Sequence, residues 1–188
     1  MSNTPLKKIP RENLSTGAKA AWDRLNDLTG EPTFVEVFAN APELLDFVMN
    51  QFYMNIFFGG RVDQKYKQLV RLRLSNIHGC RTCNLQNVPG ALEAGVTREQ
   101  IDSLDNVDQG PFTAAEKAVV KFAEQMALTE HNGRLDEKLY KDLSQHFSDA
   151  ELCELGVIMA VIGGFAKLSF VMDLVEREDY CPFASVGN

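Results

Sequence analysis

The stretch QLVRLRLSNIHGCRTCNLQNVPGALEAGV, residues 68–96, contains the features that decide both the fold and the chemistry of this chain. Its first half continues a helical pattern that starts after Asp63, with apolar residues at Tyr66, Leu69, Val70, Leu74 and Ile77. Gly79 breaks this helix, and Cys80-Arg81-Thr82-Cys83 follows at the start of the next one. We therefore expect the two cysteines at or near the start of a helix, and Asp63 as the N-cap of the helix that precedes it.

The helical pattern extends over the rest of the sequence. Four Ser/Thr-x-x-Glu/Gln capping boxes mark helix starts, at Thr33–Glu36, Thr97–Gln100, Thr113–Glu116 and Ser148–Glu151. Further helices are expected at about 15–28, 42–57 and 137–146, and a last helix at about 149–176. No run of alternating apolar and polar residues is long enough for a sheet. The sequence therefore predicts an all-α protein.

The length and the net charge of the chain limit the classes of function that it can have. The 188 residues suit one domain, which we divide into an N-terminal arm with one helix (residues 1–30) and a helical domain (residues 31–188). The net charge of −7 argues against nucleic acid, because binding a polyanion needs clustered Lys and Arg. The longest apolar stretch, residues 155–165, is too short for a membrane span, which needs about 20 residues. Residues 1–14 lack the apolar core of a secretory signal, so we expect a cytoplasmic protein.

The last helix is the most apolar part of the chain. Because residues 155–165 contain no charged side chain, we expect this segment to be buried on all sides, by its own domain or by a partner subunit. The Gly163-Gly164 step weakens a helix by about 1 kcal/mol per glycine relative to alanine. Close approach of another helix would explain why two glycines occur within this helix. We therefore expect a homo-oligomer.

The Cys80-Arg81-Thr82-Cys83 motif carries the chemistry. In a reducing cytoplasm a close cysteine pair is typical of redox or metal sites rather than of structural disulfides. A helix N-terminus stabilises a thiolate, and Arg73 and Arg81 add positive potential. Two alternatives stay open. The pair is half of a zinc site, although Cys153, Cys181, His78, His131 and His146 lack the required spacing, or both cysteines are buried and inert. Cys153 and Cys181 are interpreted as inert, buried cysteines.

Residues 68–96 resemble the CxxC-containing branch of the carboxymuconolactone decarboxylase and alkylhydroperoxidase D-like superfamily. The resemblance extends over roughly residues 32–175, through the segments PTFVEVFANAPELLDFVMNQFYMNIFFGGRVDQKYKQLVRL, FTAAEKAVVKFAEQMALTE and LYKDLSQHFSDAELCELGVIMAV. It implies an all-helical subunit that assembles into trimers or hexamers. It also implies that the CxxC lies at the start of a helix, in a shallow pocket flanked by subunits.

The peroxidases of this family use a proton relay in addition to the two cysteines. The resemblance places its Glu twelve residues before the first cysteine and its His four residues after the second, which are Gln68 and Asn87 here. Thr82 occupies a position where a further His often occurs. Because an amide does not exchange a proton near pH 7, we expect weak peroxidase activity. His78 is an auxiliary candidate, if the break at Gly79 lets its ring turn towards the sulfurs.

Three functions follow from these observations. The first is a thiol–disulfide oxidoreductase with peroxidase-type activity, in which Cys80 and Cys83 are catalytic, and the resemblance favours Cys83 as the reactive cysteine. A thiol protein or a small thiol would be its reductant. The second is a carboxymuconolactone decarboxylase-like enzyme, and the third is a non-catalytic member of the fold. No nucleotide-binding glycine loop is present, so we expect no organic cofactor. Because the further Cys and His residues lack the spacing of a zinc site, we also expect no metal.

Overall fold

The two helices joined at the cysteine turn lie at the centre of the structure. In the computed structural model, which describes residues 2–183, these are α4 (Gln64–His78) and α5 (Arg81–Glu93), and they pack against each other. Helix α4 also contacts α7 (Ala114–Gln125) and α9 (Asp149–Val171). Helix α4 is therefore covered by neighbours on several sides, which explains why several of its polar residues are buried together with its apolar ones.

The remaining elements are helical as well. They are α1 (Thr16–Thr29), α2 (Thr33–Phe38), α3 (Pro42–Asp46) with a π-helix (Phe47–Phe57), α6 (Arg98–Asp102), α8 (Glu137–Leu143) and two short 3₁₀ turns at Arg11–Asn13 and Leu104–Asn106. Within residues 2–183, the β-type pairing is confined to an isolated bridge between Cys80 and Arg177. The predicted all-α class is confirmed.

The apolar face of α4 forms the core. Val70 and Leu74 are fully buried against residues of α7 and α9 such as Val119, Leu155 and Met159. On the side towards α5, Leu69, Leu72, Ala91 and Val120 belong to a second cluster. Each fully buried Val or Leu side chain contributes about 1.5–3 kcal/mol to stability relative to an exposed one. The helix is thus held in place by packing rather than by its own propensity.

The N-terminal arm packs on its own chain. Leu14 and Leu25 share an apolar cluster with Val35 and Leu45, and α1 also contacts α5. The division at residue 30 stays a prediction. Residues 184–188, at the end of the predicted second unit, lie outside the described residues.

Three of the four predicted capping boxes are confirmed, those at Thr97, Thr113 and Ser148. The predicted box Thr33–Glu36 is wrong, because α2 begins at Thr33 with Pro32 as its N-cap. The Thr33 hydroxyl bonds to Glu31 instead, and Glu36 Oε1 accepts a hydrogen bond from Trp22 Nε1 at 2.9 Å. The predicted cap of α4 is confirmed, since Asp63 accepts from the Lys65 N–H at 2.8 Å.

Several helix ends differ from the prediction. The helix predicted at 42–57 is α3 followed by the π-helix, and that predicted at 137–146 ends at Leu143. The last helix ends at Val171, not near residue 176, because Asp173 adopts a left-handed conformation with φ of 53°. There the Leu174 N–H bonds to Ser169 O at 2.9 Å, a bond typical of helix C-termini.

Helix α9 is not buried on all sides within this chain, as the sequence had suggested. Leu155 and Ile158 are fully buried, but the side chain of Val157 is 51% exposed. Gly163 and Gly164 also do not meet a closely packed helix among the described residues. A Cβ at Gly163 would only touch the Leu128 side chain at 4.0 Å, and one at Gly164 would have no neighbour within 4 Å.

Helix α9 is also long and apolar enough to cross a membrane, by length and composition alone. The argument that the apolar stretch is too short is therefore wrong, because the whole helix, not only residues 155–165, must be counted. This is weak evidence for a span, since the core helix of a soluble protein passes the same test. The cytoplasmic location stays a prediction.

Candidate active site

The cysteine turn is built by a glycine. Helix α4 ends at Gly79, which has a left-handed φ of 61°. A Cβ at this position would lie 2.5 Å from the Cys181 Cα, so glycine is required for space as well as for conformation. The N–H of Cys80 bonds back to Ser75 O at 3.1 Å, which closes the end of α4. As predicted, Gly79 separates the two helices and sets Cys80 as the N-cap of α5.

Cys80 and Cys83 form a disulfide across the first turn of α5, with their sulfur atoms 2.04 Å apart. The N–H of Cys83 also donates to Cys80 Sγ at 3.2 Å. The two cysteines differ in access, because Cys80 is fully buried whereas Cys83 is partly exposed. A free helix N–H that points at a sulfur favours its thiolate form, so the local structure suits the thiolate of Cys80.

The C-terminal segment holds this turn from outside. Thr82 Oγ1 accepts from the Glu176 N–H at 2.9 Å, and the Glu178 N–H donates to Gly79 O at 2.9 Å. Cys181 Sγ donates to His78 O at 3.1 Å. Thr82 therefore anchors residues 176–181 across the turn, a role that sequence reasoning missed because the contact spans more than 90 residues.

The two relay positions are buried amides. Gln68 and Asn87 are 2% and 3% exposed. Asn87 Nδ2 donates to Ser75 Oγ at 3.3 Å, and Ser75 Oγ donates to Leu72 O at 3.0 Å. Within residues 2–183, Gln68 Oε1 is buried and has no hydrogen-bond partner. The positions thus form a polar surface that can donate and accept hydrogen bonds but does not exchange protons near neutral pH.

A cavity of about 460 Å³ brings the predicted site residues together. Its lining includes all six of them, namely Gln68, His78, Cys80, Thr82, Cys83 and Asn87. On α4 the lining residues recur with helical spacing, at Gln64, Gln68, Arg71, Ser75 and His78. Sequence reasoning followed only the apolar stripe of this helix and missed Arg71 and Ser75. The polar stripe on the opposite face is the signal that would have found them.

His78 is a buried, neutral histidine. Its Nε2 accepts from the Leu128 N–H at 3.0 Å, which leaves the ring proton on Nδ1. Nδ1 is buried and without a hydrogen-bond partner among the described residues. Burial lowers the pKa of His78 to about 4. Its lone pair is therefore committed to the backbone, and a role as proton acceptor would require breaking that bond.

Arg71 is the buried cation of the cavity. It is 7% exposed, and its guanidinium carbon lies 5.4 Å and 5.3 Å from the ring centres of Tyr53 and Phe57. Burial lowers the pKa of Arg71 from its usual value, but arginine remains charged in proteins. The cavity thus holds a permanent positive charge.

The two arginines predicted to add positive potential at the cysteines are offset by carboxylates. Arg73 forms ion pairs with Asp105 and Glu124 at 2.5 Å and 2.8 Å. Arg81 lies 3.7 Å and 3.9 Å from carboxylate oxygens of Glu176 and Glu178. The predicted positive potential of Arg73 and Arg81 is therefore reduced by these carboxylates, and the cations that line the cavity are Arg24 and Arg71.

The other two cysteines have different environments. Cys181 is buried, as predicted, but Cys153 is exposed on α9, so its predicted burial is wrong. Helix α9 has an exposed face because its neighbours cover only one side. Across residues 2–183, no group of three or more His, Cys, Asp or Glu side chains is arranged to hold a metal ion.

Comparisons with known proteins agree with this geometry. Residues 42–125 match the sequence profile of the Carboxymuconolactone decarboxylase family. The uncharacterised protein YdfG of Bacillus subtilis (strain 168) is 23% identical over 112 residues, which cover 59% of this chain and 76% of that protein. The profile match to residues 42–125 spans α4, the cysteine turn and α5, so it includes the candidate site.

Two solved structures share the fold over nearly the whole chain. A variant of the debrominase Bmp8 in complex with 2,3,4-tribromopyrrole superposes with a TM-score of 0.74, 17% identity and 95% coverage of both chains. An uncharacterised peroxidase-related protein with an alkylhydroperoxidase AhpD core, from Ralstonia eutropha JMP134, has a TM-score of 0.69 and 14% identity. It covers 94% of this chain and 95% of its own. At such identities the likeness shows the fold alone.

Proposed function

We propose, from the premise that residues 42–125 carry the pattern of the carboxymuconolactone decarboxylase family on an alkylhydroperoxidase D-like fold, that this protein is a thiol–disulfide oxidoreductase. In this proposal Cys80 and Cys83 alternate between dithiol and disulfide. The observation that carries it is the position of the pair, at the start of α5 and in the wall of a cavity of about 460 Å³. A cavity of this size admits a small organic molecule.

The difference in access between the two cysteines supports a proposal for their roles. Cys83 is partly exposed and lines the cavity, so we propose that it attacks the substrate. Cys80 is fully buried and its sulfur receives the Cys83 N–H, which suits a resolving thiolate and a leaving group. This agrees with the assignment that the family resemblance implies.

The proposed reaction on an organic hydroperoxide has two steps. The Cys83 thiolate attacks the outer peroxide oxygen, which gives a sulfenic acid on Cys83 and an alkoxide that takes a proton from water. The Cys80 thiolate then attacks the Cys83 sulfur and displaces hydroxide, which forms the disulfide. Two external thiol groups, from a thiol protein or from small thiols, then reduce the disulfide and are themselves oxidised to a disulfide.

The buried amides make this peroxidase slow. A Glu and a His at positions 68 and 87 would move protons, whereas Gln68 and Asn87 only orient groups by hydrogen bonding. General acid–base assistance is worth about 10²–10⁴-fold in rate. We therefore propose a modest peroxide rate and a substrate selected by the cavity.

Reductive dehalogenation is a second candidate, favoured by the apolar walls of the cavity and by the fold shared with a debrominase. Here the Cys83 thiolate would take the halogen from a ring carbon, and the carbanion would take a proton from water. Cys80 would then displace halide from the Cys83 sulfur as the disulfide forms. The same cysteine pair and the same external thiol groups serve both reactions.

Assembly is also part of the proposal. Phe47 and Met54 of the π-helix and Val157 and Val171 of α9 are 48–71% exposed, which supports burial against further copies of the chain. We propose a trimer or hexamer. Light scattering at micromolar concentration tests it, and a monomeric mass would contradict it.

The redox proposal is tested by thiol titration and intact mass after mild treatment with cumene hydroperoxide. The dithiol form of each chain should lose two thiols and about 2 Da when its disulfide forms. Cys80→Ser and Cys83→Ser should each abolish disulfide formation, and Cys153→Ser should leave it unchanged.

The outcome also separates the alternatives. Slow oxidation, or oxidation centred on Cys153 or Cys181, would contradict the oxidoreductase proposal and favour a non-catalytic member of the fold. Release of CO₂ from a carboxylated lactone by Cys80→Ser at the wild-type rate would favour a decarboxylase.

A further inference from the structure

Arg71 and Lys67 are buried cations one turn apart on α4, and their surroundings differ. Lys67 is fully buried, and its Nζ forms an ion pair with Glu154 at 2.8 Å and donates to Ile56 O at 3.0 Å. Arg71 is also buried, at 7% exposure, but no hydrogen bond or ion pair to its guanidinium is found among residues 2–183. Burying a charge without a partner is costly, and the rings of Tyr53 and Phe57 offset only part of that cost.

Neither of the two carboxylates that line the cavity, Glu31 and Glu93, forms an ion pair with Arg71 in the part of the chain that the structure describes. Arg24 is exposed, lines the same cavity and adds a second positive charge. The buried Glu31 accepts hydrogen bonds from the Ser2 N–H and from Thr33 and is thus occupied. Glu93 lines the cavity from an exposed position on α5. The interior of the cavity therefore favours an anion.

The walls of the cavity favour an apolar body. The apolar part of the lining includes Phe34, Val48, Met49, Phe52, Ile162 and Phe165. Arg71 and His78, near the cysteine turn, are seven residues apart on α4, which is a rise of about 10 Å along the helix. A molecule that reaches from Arg71 to Cys83 must therefore be longer than a simple inorganic anion.

We propose that Arg71 binds the carboxylate of a small organic substrate whose apolar body fills this cavity and whose reactive end meets Cys83. A guanidinium binds a carboxylate through two parallel N–H···O bonds. This interaction is stronger in a buried site than in water. The part of this proposal in which the substrate reacts with Cys83 rests on the proposed redox function. The binding of a carboxylate by Arg71 does not, since it depends only on Arg71 and the cavity.

Calorimetric binding of redox-inert probes tests the binding of a carboxylate by Arg71. We choose 4-phenylbutyrate and its uncharged amide, titrated into the wild-type protein in its disulfide form. The acid should bind at least about tenfold more tightly than the amide. Equal affinities, or no binding of the acid at millimolar concentration, would overturn the proposal. This comparison needs no variant.

Two substitutions test whether the preference for the acid over the amide depends on Arg71. Arg71→Met keeps an apolar side chain in place and should remove the preference for the acid. Lys121→Met removes a surface cation paired with Asp108, away from the cavity, and should retain it. A preference that survives Arg71→Met would also overturn the proposal. If the acid binds through Arg71 but hydroperoxides do not oxidise the cysteine pair, the redox function fails and the binding of a carboxylate by Arg71 stands.

Discussion

The two faces of α4 are equally buried but chemically opposite. On one face Leu69, Val70 and Leu74 are fully buried in apolar clusters. On the other, Gln68 and His78 carry buried polar atoms without partners among the described residues, although they too are at most 2% exposed. One helix thus contributes both to the core and to the cavity.

This difference shows where stability and function lie. An apolar face of this kind stabilises the fold through close packing. Each buried polar atom without a partner costs about 1–3 kcal/mol, so a face that keeps several of them is poorly explained by stability. We interpret the polar face as a binding surface whose hydrogen bonds are completed by a substrate.

The largest effect is expected from restoring a proton relay on the polar face. Gln68→Glu combined with Asn87→His should increase the rate of cysteine oxidation by hydroperoxide by about 10²-fold or more, because both groups then exchange protons. Stopped-flow thiol loss at pH 7 measures this. The same exchanges at neighbouring positions, Gln86→Glu with Asn84→His, provide the control. An equal gain in both double variants, or none in either, would contradict a relay role for positions 68 and 87.

The second prediction compares the loss of stability caused by substitutions at Leu74 and Ser75, which are neighbours in sequence but lie on the two different faces of α4. Leu74→Ala should lower the free energy of unfolding by about 2–5 kcal/mol, because it leaves a cavity in the core. Ser75→Ala removes the hydrogen bonds of Ser75 Oγ with Asn87 and with Leu72 O and should cost less, about 1–2 kcal/mol. Urea unfolding of the two variants measures both values. A larger loss for Ser75→Ala would mean that the polar face also carries stability.

A smaller effect concerns pH. The unfolded chain takes up a proton on His78 as the pH falls through about 6.5, whereas the folded protein does so only near 4, because burial lowers the pKa of His78 to about 4. His78 therefore makes the fold less stable as the pH falls from 6.5 towards 4. His78→Gln keeps an acceptor for the Leu128 N–H without titrating, so it should reduce the loss of stability between pH 7.5 and 5. An unchanged loss would contradict this account of His78.

The smallest effect is expected at Cys153, which is exposed and lies outside both faces of α4. Cys153→Ser should change the unfolding free energy by less than about 0.5 kcal/mol. It should also leave hydroperoxide consumption unchanged. A loss of activity in this variant would assign Cys153 a part in the redox cycle.

Local patterns predicted much of this structure. The all-α class, the cap at Asp63, the break at Gly79 and the cysteine pair at a helix start depend on neighbouring residues, and the structure contains all of them. The contact of the C-terminal segment, residues 176–181, with Thr82 depends on residues far apart in sequence, and so does the absence of an ion pair at Arg71 among the described residues. Local spacing carries no information on such contacts, so these features required the structure.

Whether Cys83 is the sulfur that meets the substrate is tested most directly by labelling each cysteine alone. Cys80→Ser leaves Cys83, and Cys83→Ser leaves Cys80; both variants also carry Cys153→Ser and Cys181→Ser. The rate of reaction with a disulfide reagent is followed by intact mass at pH 7. We predict that Cys83 reacts at least about tenfold faster than Cys80, since Cys83 is partly exposed whereas Cys80 is fully buried. Equal rates, or faster labelling of Cys80, would contradict this account.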